Sequence, residues 1–332
     1  MEADDRLGDG EAGGGPRVVV GVDGSVGARA ALRYALATAA VRGATVEVLT
    51  ACSLEPYWTG VAPLAVPDVA AVRRTARERA EAAVADARAA TPEAAGTPVE
   101  VVVTLDGAAP ELVRLSRGAD LLVVGSRGRG EVRSALLGSV ALHVTTHAGC
   151  PVVVVRAPAG PDVPAPAAGP RRVVVGLDGS PTGRAALTAA VEEAVRLAAE
   201  LDVVACFSMD TYWADLWQVP VPTVGEVRDR IRREAESELS AVLAERAGGP
   251  PVRVHLEATQ GAPSDVLVQR ARGAALLVVG SRGRGALRAA LLGSVALHCV
   301  THAGCPVLVV RPAHDRATAG PAPAVPAGAS PR

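Results

Sequence analysis

Two glycine-rich stretches carry the residues best suited to chemistry. Gly125-Ser-Arg-Gly128 is followed, nine residues on, by Gly138-Ser139, and Gly280-Ser-Arg-Gly283 is followed at the same spacing by Gly293-Ser294. Glycines at such points permit positive φ and let backbone N–H groups approach an anion closely. Ser139 and Ser294 read as N-caps of helices whose first turns present unpaired N–H groups and a partial positive charge. Loop and helix start together form a cradle for a polyphosphate, and Arg127 and Arg282 inside the loops can meet phosphate charge with a planar fork. The plain alternative is a tight turn that exposes its arginine. A second pair of segments, Val-Asp-Gly-Ser with Asp23 and Ser25 and Leu-Asp-Gly-Ser with Asp178 and Ser180, supplies carboxylates that accept hydroxyl protons.

Composition removes the rival chemistries. The 332 residues contain no Lys and no Asn, so all 34 basic side chains are Arg. The Ala, Gly, Pro and Arg bias is what GC-rich coding produces, but its chemical consequences hold whatever the cause. A GxxxxGK[ST] phosphate loop, a Schiff base and a lysine general base are impossible. A dinucleotide GxGxxG fingerprint should follow the first strand, whereas Gly128-Arg-Gly130 follows the fourth and has no third glycine in place. The formal charge of −1 gives no overall pull toward nucleic acid or an anionic membrane.

Catalytic candidates are few. Apart from Asp23 and Asp178 the motif regions hold no paired carboxylates for phosphoryl transfer, so no residue is assigned a catalytic role and turnover is expected to be weak or absent. His143-x3-His147-x2-Cys150, repeated as His298-x3-His302-x2-Cys305, has a spacing that could bind zinc, but a fourth ligand is not visible and buried packing accounts better for the thiols. No metal ligand is assigned. Five cysteines without a CxxC pair read as reduced small hydrophobes. Of seven aromatics, six (Tyr57, Trp58, Phe207, Tyr212, Trp213 and Trp217) follow the second strand of each half, either anchoring a loop or forming a flap over a pocket.

The elements that must position these residues come from one domain written twice. Leu121–Arg156 aligns with Leu276–Arg311 at an offset of 155, with 6 differences in 36 positions, and Arg17–Ser25 aligns with Arg172–Ser180. The expected domains span 17–156 and 171–311, joined by a Pro/Ala linker at 157–170 and flanked by disordered tails at 1–16 and 312–332. Within the first copy, strands are expected at Arg17–Val22, Thr45–Ala51, Val99–Leu105, Leu121–Gly125 and Pro151–Val155. Helices are expected up to Arg42, over Val69–Ala90, Pro110–Arg117 and Ser139–His147. Apolar strands separated by helices imply an α/β fold: two tandem doubly wound, Rossmann-like domains, each a five-stranded mostly parallel sheet with helices on both faces. Ligands of such sheets sit beyond the strand carboxyl ends, where strand order reverses. The acidic, glycine-rich N-terminal stretch and the lack of a long apolar run point to the cytoplasm.

The pattern G-x2-G-x9-G-[ST] after strand four, with Val-Asp-Gly-Ser after strand one and a final Cys-Pro-Val-x-Val-Val strand, resembles the universal stress protein family in its tandem form, over about 280 of 332 residues. The resemblance implies ATP at the strand ends of both domains, and with no lysine in the chain a divalent ion, Mg2+ or Mn2+, is expected beside the phosphates. It places Asp23 and Asp178 near ribose, and Ala51 and Cys206, each 28 residues after its Asp, beside adenine through the backbone. Gly125, Gly128, Gly138 and Ser139, with Gly280, Gly283, Gly293 and Ser294, would hold ribose and phosphates. It further implies a nucleotide-dependent stress-signalling module whose domains pair as an intramolecular pseudo-dimer, with a further homodimer open and the protein partner unnamed. A slow ATPase or self-phosphorylating enzyme is the alternative.

Overall fold

The computed structural model describes residues 15–52, 68–128, 137–157, 170–209, 222–246, 249–283 and 292–311. Residues 1–14 and 312–332 of the expected tails, residues 158–169 of the linker and the aromatics Tyr57, Trp58, Tyr212, Trp213 and Trp217 lie outside the described residues.

The first half runs β1 (Arg17–Gly21), α1 (Val26–Arg42), β2 (Thr45–Ala51), α2 (Val69–Ala89), β3 (Val99–Thr104), α3 (Ala108–Leu115), β4 (Leu121–Gly125), α4 (Ser139–His147) and β5 (Val152–Val155). The second repeats it as β6 (Arg172–Gly176), α5 (Pro181–Arg196), β7 (Glu200–Phe207), α6 (Val224–Glu245), β8 (Val254–Gln260), α7 (Pro263–Arg270), β9 (Leu276–Gly280), α8 (Ser294–His302) and β10 (Val307–Val310).

Local chemistry explains the helix ends. The Ser25 hydroxyl accepts from Ala28 N–H to start α1, and Gly43, at φ +61°, closes it through an N–H to Ala39 O. Along α1, Ala28, Ala31, Leu32, Ala35, Leu36 and Ala39 recur at helical spacing and are buried, so small residues let the helix lie close on the sheet. Full burial of each leucine contributes about 2 kcal/mol. Helix α6 opens with a reciprocal capping box between Thr223 and Glu226. Helix α3 begins before Pro110, because proline is tolerated in a first turn whose N–H groups have no intrahelical partner. A 3-10 turn at Pro92–Ala94 carries no periodic signal and was not anticipated by the pattern.

The ten strands form one sheet in the order β3-β2-β1-β4-β5-β10-β9-β6-β7-β8. Every neighbouring pair is parallel except β5 and β10, which run antiparallel with Val154 opposite Val307, Val153 opposite Leu308 and Val152 opposite Val309. Leu308 is the repeat equivalent of Val153, so a local two-fold axis passes through that pair. Burial on both faces accounts for the near-continuous valine runs: Val18, Val19 and Val20 have no exposed surface. One core, holding Val20, Leu32, Val153, Leu187 and Leu308, and another, holding Val19, Leu122, Val154, Leu277 and Val309, each extend through both halves.

Charged groups complete the junction. Buried Glu193 of α5 receives Arg42 from the end of α1 and, at 2.7 Å, Arg196 of its own helix. Arg156, just past β5, donates through Nη1 to Thr301 O at 2.6 Å, and Arg311, just past β10, donates to Ala148 O at 3.4 Å. Among the described residues, no helix is long and apolar enough to cross a membrane.

Candidate functional site

Strand order reverses between β1 and β4, and between β6 and β9, and a cleft opens at the carboxyl end of each reversal. The first cleft, about 560 Å³, is walled by Asp23, Ala51, Gly125, Arg127, Gly128, Gly138 and Ser139 together with apolar Leu49, Leu112 and Leu137. The second, about 390 Å³, is walled by Asp178, Cys206, Gly280, Arg282, Gly283, Gly293 and Ser294 together with Pro263 and Leu267. Volumes of this order suit a small organic ligand.

Each aspartate is held by its own turn. Ser25 N–H donates to Asp23 Oδ1 at 2.9 Å, and Ser180 N–H donates to Asp178 Oδ1 at 3.0 Å. The intervening Gly24 and Gly179 sit at φ +84° and +71°, a left-handed conformation that L side chains adopt at a cost. These two glycines were missed as site-shaping residues, although an Asp-Gly dipeptide at a strand end is itself a turn signal.

Ser25 and Ser180 take a different place from the one expected. Their hydroxyls cap α1 and α5, accepting from Ala28 N–H and Gly183 N–H, and neither residue belongs to a cleft wall. The Ser25 hydroxyl also donates to Arg127 O at 3.4 Å, and the Ser180 hydroxyl donates to Asp178 Oδ1 at 2.6 Å. They act on the clefts by setting the aspartate and loop positions.

The glycine-rich segments need two corrections. Gly138 and Gly293, in extended conformation, are the N-caps of α4 and α8, and Ser139 and Ser294 are the first helical residues. The reason is the hydrogen bond that each glycine N–H makes back across its loop, to Ser126 O at 2.9 Å and to Ser281 O at 2.8 Å, which fixes the helix entry one residue earlier. A glycine cap has no side chain to satisfy the first turn, and neither helix has a side-chain cap hydrogen bond, so these N–H groups face the cleft side of the helix start.

Nor do the motif glycines adopt positive φ, since that set comprises Gly24, Gly43, Gly118, Gly179, Gly261 and Gly273 among the described residues. Their requirement is close approach. A Cβ at Gly125 would lie 2.7 Å from the Gly27 backbone, and one at Gly128 would lie 2.6 Å from Asp23 Oδ2. In the second half, a Cβ at Gly280 would meet Thr182 at 3.1 Å and one at Gly283 would meet Asp178 Oδ2 at 2.9 Å. The glycines let the loop after strand four nest against the turn after strand one.

The clefts are not identical. Cys206 stands where the first half has Ala51, and its thiol is pushed up to about 11, chiefly by burial, with the Glu257 carboxylate adding and Arg270 opposing. The histidine pairs lie away from both walls, stacked ring on ring at 4.4 and 4.2 Å, with His147 and His302 bonded through Nδ1 to His143 O and His298 O. Cys150 and Cys305 are buried in the core. Among the described residues, no three His, Cys, Asp or Glu side chains gather as a metal cage.

Fold and clefts thus define a tandem doubly wound α/β protein with a strand-end site in each half. The family model described as Universal stress protein family matches residues 16–156 and 169–311. A universal stress protein of Mycobacterium tuberculosis is 34% identical over 304 residues, covering 89% of this chain and 96% of the relative. One from Mycolicibacterium smegmatis is 32% identical over 309 residues, covering 89% and 97%. The chain belongs to the universal stress protein family. A universal stress protein from Archaeoglobus fulgidus, at 22% identity, superposes with a TM-score of 0.60 over 90% of this chain and 97% of that one, a likeness of fold.

Proposed function

We propose that each half binds one ATP and that the chain works as a nucleotide-dependent stress-response module in the cytoplasm, holding nucleotide rather than turning it over. The observation that carries this reading is the pair of helix starts, α4 and α8, whose caps are side-chain-free glycines bordering a cleft that also holds an aspartate and an arginine. Such a start offers N–H donors and the positive pole of a helix to phosphate. Gly128 and Gly283 leave room where a side chain would displace the aspartate, which supports a ligand hydroxyl meeting Asp23 or Asp178. Leu49, Leu112 and Ala51 in the first cleft, and Leu267 and Cys206 in the second, give the apolar side a base requires.

With no lysine in the chain, the phosphate charge falls to backbone N–H groups, to Arg127 and Arg282, and to a divalent ion such as Mg2+ or Mn2+. Asp23 and Asp178 are the acidic residues of the two walls, so the ion would be held largely by the phosphates themselves. Bound to ATP, it would neutralise phosphate charge. Denaturing the purified full-length protein and identifying the released nucleotide tests the reading. Intact ATP near two per chain is expected; ADP would favour slow hydrolysis, and no nucleotide together with no ATP binding by calorimetry would overturn it.

A further inference from the structure

The halves share more than a strand pair. Ser126 N–H donates to Val155 O at 2.8 Å, continuing the register of Gly125 with Val155, so Arg156 leaves its strand beside Ser126, the residue before Arg127. Arg127 is a wall of the first cleft. The second half repeats the arrangement: Ser281 N–H donates to Val310 O at 2.8 Å, and Arg311 leaves its strand beside Ser281, the residue before Arg282 of the second cleft. The repulsion is felt, because Arg156 and Arg311 are held below the ordinary arginine range, first by burial and then by Arg127 and Arg282 respectively.

Each of these arginines then crosses the axis. Arg156 grips Thr301 O in the last turn of α8, and Arg311 reaches Ala148 O at the end of α4. The opposite end of α8 starts the second cleft and that of α4 starts the first. Both helices are nine residues long, so the held carbonyl end is about 13 Å from the N–H groups at the cleft.

We propose that Arg156 and Arg311 are positioning residues that couple the two clefts, so that an anionic ligand beside Arg127 strengthens anion binding at the start of α8, and one beside Arg282 does the same for α4. This rests on the reading of the clefts as ATP sites. An anion beside Arg127 cancels the repulsion acting on Arg156, which then seats more firmly on the α8 carbonyl end. A cation there complements the helix dipole and steadies the helix whose first turn meets the second ligand. Linkage requires the effect to be reciprocal, and the two-fold arrangement supplies the return path.

Calorimetric titration of the full chain with MgATP tests this. Gly128→Leu and Gly283→Leu, each blocking one cleft with an uncharged side chain, give the affinity of the other cleft alone, and the wild-type overall constant divided by the product of the two gives the coupling factor. The expected factor is at least about fivefold in the wild type. It should fall to within about twofold in Arg156→Gln/Arg311→Gln and return substantially in Arg156→Lys/Arg311→Lys, which keeps the charge. In the wild type, raising salt toward 1 M should shrink the factor, since repulsion between the arginines is screened; this arm needs no arginine variant to fold. A wild-type factor near one, or a factor unchanged by the glutamines or by salt, overturns the coupling. Independent binding at both clefts would leave the ATP reading standing, whereas no binding in any protein overturns that reading and the coupling with it.

Discussion

Glycines that look alike in sequence have different tasks in the structure, and substitution separates them. At Gly125 an added Cβ meets the Gly27 backbone, which cannot yield without moving α1. Gly125→Ala is expected to destabilise the fold by about 1–3 kcal/mol, read by denaturant unfolding. At Gly128 the obstacle is the end of the Asp23 side chain, which can rotate away. Gly128→Ala together with Gly283→Ala should therefore leave the unfolding midpoint nearly unchanged and weaken ATP binding about tenfold or more, equivalent to about 1.4 kcal/mol per site. Unaltered affinity would show that the aspartates do not meet the ligand. A third residue-scale expectation concerns Cys206. With its thiol pushed up to about 11, little thiolate exists at pH 8, and alkylation by iodoacetamide should be about a hundredfold slower than for an ordinary thiol, rising about tenfold per pH unit until pH 11. Rapid labelling of Cys206 at pH 8, mapped by mass spectrometry, would contradict the raised pKa of this half-buried thiol.

At the scale of elements, helix entry decides which groups remain open to a ligand. Helices α1 and α5 begin under serine caps that satisfy their own first turns, whereas α4 and α8 begin under glycines that satisfy none. Ser180→Ala is expected to cost about 1 kcal/mol of stability through loss of the bond from Gly183 N–H, and also to release Asp178 from the Ser180 hydroxyl. Much of this level was legible. The serine and Thr223 caps, the helical spacing of alanines and leucines in α1 and the valine strands follow from local chemistry. The one-residue shift of the α4 and α8 caps was not legible, because it depends on Gly138 N–H and Gly293 N–H reaching carbonyls across their loops.

For the whole molecule, the shared sheet and the buried charges between the halves set how the domains sit. Glu193 is buried beneath Arg42 and Arg196, while the repeat equivalents of Glu193 and Arg42 are Thr38 and Leu197, so this contact breaks the internal symmetry. Glu193→Ala should cost about 3 kcal/mol because it leaves buried positive charge uncompensated. Arg42→Leu with Glu193→Thr, which installs the residues of the symmetric position, should cost markedly less in the same unfolding measurement. Equal losses would mean that packing at the junction, rather than charge, holds the halves together.

By itself the sequence determined the repeat, the α/β class, the order of elements and the absence of lysine chemistry, since these depend on residue type and on spacing along one chain. The tertiary structure decided which glycines are needed for space, that β5 and β10 join two sheets into one, and that Arg156 and Arg311 cross between the halves. Those facts depend on contacts between residues about a hundred or more positions apart, and no local pattern encodes such distances.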